Sequence, residues 1–199
     1  MICIVDYKAG NLRSVQKAVE FNGADARVTF NPDEILNAPK LILPGVGAFG
    51  NAMEKIDEFG LREIILEYIA TGKPFLGICV GLQLLFESSE ESPGAVGLSV
   101  LKGSVKRFSN GLKVPHLGWN VLQQDKPSPL WKDIPNDSYY YFAHSYYIDP
   151  VDRTDVIAYT DYGGQVPIAV QRENVFGLQF HPEKSQTNGL RVLGNFINL

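Results

Sequence analysis

The sequence predicts an α/β fold: a mostly parallel central sheet with helices on both faces and β-rich additions in the C-terminal half. Three observations lead there. Short apolar runs alternate with amphipathic helical segments in the first half of the chain. Those runs are apolar at consecutive positions, as strands buried on both faces are. From about residue 98 the texture changes to β-branched and aromatic runs separated by turn residues.

Each element follows in turn. Residues 2–5, ICIV, form a strand ending at Asp6. A helix follows the segment AGN, with Leu12, Val15, Ala18 and Val19 on one face and Gly23 as its stop. Residues 25–30, DARVTF, read as a second strand, and residues 41–43, LIL, as a third that runs into the loop PGVGAFG. A helical region holds Ile56, Phe59, Ile64, Ile65, Tyr68 and Ile69 and breaks near Gly60. PFLGI is the fourth strand, and VGLQLLFES the helix after it. Beyond lie LSVLKGSVKRF, HLGWNVLQ, SYYYFAHSYYI, DVIAYTDYGG and PIAVQRENVFGLQF, all β-rich. A closing helix over residues 185–199 turns Leu190, Leu193, Phe196 and Ile197 inward. KPSP is a surface loop, and neither an internal repeat nor a linker divides the chain.

Composition narrows the function. The chain has 199 residues, 45% hydrophobic and 20% charged, enough for one domain with a substantial core. Lys plus Arg number 18 against 22 Asp plus Glu, with no basic stripe, so nucleic acid is not an expected partner. The apolar runs are too short to span a bilayer, and MICIVDY does not read as a signal peptide. Two cysteines and three histidines give no disulfide framework and no metal-site spacing. A reducing, cytoplasmic setting is expected.

Cys79 stands just past the PFLGI strand, where α/β sheets collect function. Gly77 and Gly81 flank it in a G-x-C-x-G pattern that suits a tight strand-to-helix elbow and leaves substrate room to approach. A helix start there would favour the thiolate. The same pattern also fits a buried core cysteine, as Cys3 inside its strand does.

A thiolate needs a base. His181 ends the strand VFGLQF, and Glu183 lies two residues on, on the same side of an extended chain. A carboxylate there would fix the ring tautomer and stabilise the imidazolium. LILPGVG supplies glycine-flanked backbone N–H groups suited to an oxyanion hole, Val46 pairing with Val80. The Gly45–Val46 peptide is expected to be free to flip. His116 and His144 sit among aromatic and apolar neighbours with no carboxylate two residues away, and read as hydrogen-bonded pocket or core histidines.

Together, GICVGLQLLFE, PGVGAFG and HPEKS resemble the class I, triad-type glutamine amidotransferases over the whole chain. DYKAGNLRSV, PGVGAFGNAM, PHLGWN and YYYFAHSYY are similar, more narrowly, to the glutaminase subunits of imidazole glycerol phosphate synthase. Val80 and Leu82 stand where Leu and Met are frequent, and Lys8-Ala9 replaces a more Gly-rich pair. None of these departures touches the triad.

The resemblance implies a single amidotransferase domain over residues 1–199. It implies hydrolysis of glutamine through a Cys79 thioester, with His181 and Glu183 completing the triad and no cofactor. It places Gln83, Gly47, Ser145, Tyr146 and Glu91 around the substrate. It also implies a heterodimer with a (β/α)₈ cyclase, faced by Asn11, Tyr141 and Lys184, which takes up the ammonia. Tyrosine is common at interfaces, so Tyr139 and Tyr140 join Tyr141 as interface or edge-strand core residues. The alternatives are a glutaminase of another complex (pyridoxal phosphate or anthranilate synthesis), a non-catalytic binding subunit, or a stand-alone cysteine hydrolase.

Overall fold

Four consecutive apolar residues can be buried together only in a strand covered on both faces, and Ile2–Val5 forms such a strand, β1. The computed structural model describes residues 1–109 and 111–199. Helix α1 (Leu12–Phe21) buries Val15, Ala18 and Val19. Strand β2 (Ala26–Thr29), helix α2 (Pro32–Asn37) and strand β3 (Leu41–Gly45) follow. Helices α3 (Phe49–Glu58) and α4 (Leu61–Ala70) part at Gly60, whose φ of 64° breaks the helix as expected. Strand β4 (Phe75–Cys79) completes the first half.

Two elements differ from the sequence reading. Helix α2 was not anticipated, because only Ile35 is buried and one residue makes no periodicity. Its signal was local: Asn31 caps the Glu34 N–H at 3.2 Å, and Pro32 opens the first turn. The helix expected over VGLQLLFES shrinks to α5 (Val80–Gln83). Its next residues, Leu84, Leu85 and Phe86, are buried on all sides. The carbonyls of Leu84 and Leu85 accept instead from the N–H groups of Leu98 (2.7 Å) and Leu101 (2.9 Å).

The C-terminal half is β-rich, as its texture predicted. It contains β5 (Ser88–Ser89), β6 (Gly103–Arg107), β7 (His116–Gln124), β8 (Ser138–His144) and β9 (Tyr146–Pro150). Then come β10 (Val156–Asp161), β11 (Gln165–Arg172), β12 (Val175–Leu178) and the closing helix α6 (Gln186–Ile197). Among the described residues one nine-stranded sheet has the order β2-β1-β3-β4-β12-β11-β10-β7-β8, and a three-stranded sheet the order β5-β6-β9. The large sheet is parallel from β2 through β12 and antiparallel beyond.

Right-handed crossovers put helices on both faces. The chain moves outward from β1 to β2 through α1, and inward through α2, α3 and α4. Opposite directions mean opposite faces, so α1 packs with α6 while α2 and α3 pack with α4. The register aligns the strand ends that matter: Gly45 lies beside Cys79, and Leu178 beside Ile78. Three chain segments therefore leave the sheet at one edge.

Helix α5 folds back tightly onto that edge. A Cβ at Gly81 would lie 1.9 Å from the Leu43 carbonyl oxygen, which is backbone and cannot swing away. Gly81→Ala is therefore expected to lose about 1–3 kcal/mol of stability in urea unfolding. An unchanged midpoint would show that α5 does not rest on β3.

Candidate active site

Cys79 adopts φ 55° and ψ −110°, a region that costs a side chain ~1–3 kcal/mol. The surroundings impose it. A Cβ at Gly77 would meet the Gly81 carbonyl oxygen at 2.6 Å, and one at Gly81 would strike β3. Both glycines thus serve the backbone's close approach to itself. The expectation that they also make room for substrate is not met, since both Cβ positions point at backbone.

The elbow has only one helical turn behind it, so little macrodipole acts on the thiol. Side chains act instead. Gln179 Nε2 stands 3.8 Å from Cys79 Sγ, a donor that the sequence reading missed. His181 faces the same cavity as the sulfur.

Strand β12 stops at Leu178, and His181 caps a 3₁₀ turn over Pro182–Lys184. This corrects the extended geometry expected for the pair, because the turn itself brings Glu183 to the ring. Nδ1 of His181 stands 2.9 Å from Glu183 Oε1. The Glu183 side chain is buried, and its Oε2 has no partner. A buried carboxylate served on one side needs its neighbour charged. Burial alone would depress the His181 pKa, but hydrogen bonds and charge from Cys79 and Glu183 outweigh it and lift the ring to about 9. The imidazolium then donates through Nδ1 to Glu183 and through Nε2 toward Cys79.

A cavity of about 310 Å³ opens over the sulfur. The structure brings together there Val46, Gly47, Val80, Gln83, Glu91, Ser145, Tyr146 and Lys184 with Cys79 and His181. Glu183 stands behind His181. Gln83 Nε2 donates to the Tyr146 carbonyl (3.1 Å) and to Gln179 Oε1 (3.0 Å). Glu91 accepts from the Phe49 N–H at the start of α3, at 2.8 Å. Strand β3 runs to Gly45, two residues past the expected end, so the turn begins at Val46. A Cβ at Gly45 would lie 2.7 Å from the Tyr7 hydroxyl, another neighbour the sequence did not flag. That hydroxyl is buried without a partner, and burial, with the Cys79 charge second, raises its pKa.

Asn11 and Tyr141 do not line the cavity. Asn11 is exposed ahead of α1. Tyr141 lies at the rim, its ring 5.9 Å from Lys184 Nζ and 6.1 Å from the Trp119 ring. Of the other tyrosines, Tyr140 is core and Tyr139 is exposed. Cys3 is fully buried, its thiol pushed up chiefly by that burial.

A cysteine elbow, an acid-paired histidine and a half-open pocket on a parallel sheet define a triad-type cysteine amidotransferase. The family description "Glutamine amidotransferase class-I" matches residues 3–199. The fold superposes on a crystal structure of a glutamine amidotransferase with TM-score 0.79 at 20% identity, covering 100% of this chain and 98% of that one. It superposes equally, TM-score 0.79 at 23% identity, on PurLQS from Thermotoga maritima, covering 99% and 97%. Closer in sequence is the imidazole glycerol phosphate synthase subunit HisH of Methanocaldococcus jannaschii, 48% identical over 100% of both chains. The HisH subunit of Moorella thermoacetica is 50% identical over 100% of this chain and 94% of that protein. The chain belongs to the class I glutamine amidotransferases and, within them, to the HisH subunits of imidazole glycerol phosphate synthase.

The charge on His181 makes stability pH-dependent. Its folded value, about 9, lies above the ordinary 6.5, so its contribution is full below about 6.5 and is lost as pH rises through about 9. Unfolding free energy should fall across that window, and Glu183→Gln should flatten the fall and lower the His181 titration seen by NMR. The same variant should lose about 10⁴-fold in kcat. A His181 titration unmoved by Glu183→Gln would break the pairing.

Proposed function

We propose that this chain hydrolyses glutamine to glutamate and ammonia and passes the ammonia to a partner cyclase. The joint products are imidazole glycerol phosphate and aminoimidazole carboxamide ribotide, in histidine biosynthesis. One observation carries the reading: a cysteine on a strained elbow opens into a cavity beside a histidine charged by a buried carboxylate.

The chemistry follows from the residues. The Cys79 thiolate attacks the side-chain amide carbon of glutamine, and the carbonyl oxygen becomes an oxyanion. The Val80 N–H receives it, since the first N–H groups of a helical turn lack intrahelical acceptors. The Val46 N–H is the second donor, presented by a turn that changes shape when the partner docks. His181 gives its proton to the departing nitrogen, and ammonia leaves with formation of the γ-glutamyl thioester. His181, now neutral, takes a proton from water. The resulting hydroxide hydrolyses the thioester to glutamate and restores the thiolate.

Backbone groups of Gly47, Ser145 and Tyr146 hold the α-groups of glutamine. Gln83 has spent both N–H groups on protein, leaving Oε1 as its acceptor for the α-ammonium, with Glu91 adding charge. The whole chain, residues 1–199, acts as one domain. The partner, a (β/α)₈ cyclase in a heterodimer, docks over the mouth of the site at Asn11, Tyr141 and Lys184. The apolar side chains of Val46, Leu117, Trp119 and Tyr139 are exposed, as an interface core requires. None of the described helices is long and apolar enough to cross a membrane. The cytoplasm is the compartment that suits two free thiols.

The test is glutaminase activity with and without the cyclase and its ribotide ligand. Activity should rise with that pair and vanish in Cys79→Ser, which should still bind the cyclase. No stimulation by that pair would point to another amidotransferase complex. Full turnover in Cys79→Ser would remove Cys79 from the chemistry.

A further inference from the structure

Two buried histidines, His116 and His144, take no part in the chemistry above, yet their ring nitrogens touch. Nδ1 of His116 stands 2.9 Å from Nε2 of His144. His116 Nε2 faces Asn120 Nδ2 at 3.2 Å, and His144 Nδ1 faces the Tyr146 carbonyl at 2.8 Å. That carbonyl also accepts from Gln83, which donates to Gln179, which reaches the sulfur of Cys79.

The direction of every proton in this chain is forced from both ends. The Asn120 amide cannot be turned round, because its Oδ1 accepts from the Val121 N–H (2.8 Å) and its Nδ2 donates to the Asp161 carbonyl (2.9 Å). Nδ2 can only donate, so His116 Nε2 accepts. A neutral ring that accepts at Nε2 donates from Nδ1, so His144 Nε2 accepts in turn. At the far end the Tyr146 carbonyl can only accept, which independently requires a proton on His144 Nδ1. The two requirements agree.

The surroundings keep both rings neutral and still. His116 is stacked between Phe142 (4.8 Å between centroids) and Tyr162 (4.0 Å), and Phe108 covers His144 at 5.2 Å. Burial pushes the His116 pKa down to about 4 and, against the hydrogen bond to the Tyr146 carbonyl and aided by the nearby His181 charge, that of His144 to about 3.

We propose that His116 and His144 are positioning residues for glutamine hydrolysis, a one-way hydrogen-bond relay from Asn120 that fixes the Tyr146 carbonyl, Gln83 and Gln179 against Cys79. The relay gives the sulfur a held donor and locks the polar wall that faces glutamine. This rests on the glutaminase reading.

The first test needs no turnover. Nitrogen-15 NMR of the histidine rings at neutral pH should show His116 and His144 both as neutral Nδ1–H tautomers. An Nε2–H tautomer or an imidazolium at either ring overturns the relay. In Asn120→Asp the donor is gone, so His116 should switch to Nε2–H and KM for glutamine should rise about fivefold or more, with kcat less affected. No switch, or a switch with KM unchanged, also overturns it.

His144→Phe keeps the ring packing and removes both polar atoms. His144→Asn keeps a donor near the Nδ1 position. Assayed with the cyclase, KM should rise by about tenfold or more in His144→Phe and recover toward wild type in His144→Asn. Equal values in the two variants contradict the proposal, and Asn120→Asp decides it should His144→Phe fail to fold. A wild-type chain inert toward glutamine would sink the glutaminase reading, while the tautomers would still judge the relay.

Discussion

The whole site depends on one close approach, the fold of α5 back onto the end of β3 at Gly81. A Cβ at Gly81 would lie 1.9 Å from the Leu43 carbonyl oxygen, so only a residue without a side chain fits there. Because that contact is made, the chain reverses within one residue of β4, and Cys79 takes a backbone conformation it would not choose. The strain presents the sulfur at the sheet edge. Gly177, whose Cβ would lie 2.2 Å from Leu82, lets β12 pack against the same turn. From β12 the chain continues into Gln179 and His181. The positions of Cys79 and His181 thus follow from backbone packing as well as from their own side-chain contacts.

Charge is the second constraint. Glu183 is buried with one oxygen unserved, an arrangement that holds only while His181 carries its proton. His181 and Glu183 are therefore a coupled pair, joined at 2.9 Å beside Cys79. The neutral pair His116 and His144 lies close by in an aromatic setting, and His144 feels the charge of His181. One histidine raised and two lowered within one site shows environment sorting a single residue type into two roles.

Much of this was legible in the sequence. Consecutive apolar residues in ICIV and PFLGI fixed the parallel strands, because nothing else buries them. The placement of Cys79, His181 and Glu183 was legible because its parts are local: G-x-C-x-G encodes an elbow, and His-Pro-Glu sets a carboxylate beside an imidazole. What escaped depended on contacts between distant segments. Helix α5 goes no further than Gln83 where the carbonyls of Leu84 and Leu85 turn to the N–H groups of Leu98 and Leu101. The His-Pro-Glu pair closes by a 3₁₀ turn and not by extension. Gln179 and Tyr7 look like ordinary residues until the fold sets them beside Cys79 and Gly45. The polarity of the histidine pair required both ends of its chain to be seen at once.

The central claim is that the strained Cys79 is the nucleophile and that Cys3, alike in chemistry and buried in β1, is a bystander. The most direct measurement is mass spectrometry of the chain, acid-quenched during turnover with glutamine and the cyclase, then digested to separate the two cysteine peptides. The account predicts a γ-glutamyl thioester on the Cys79 peptide alone, discharged on return to neutral pH. An adduct on Cys3, or steady turnover with no adduct on Cys79 under conditions that trap thioesters, would contradict it.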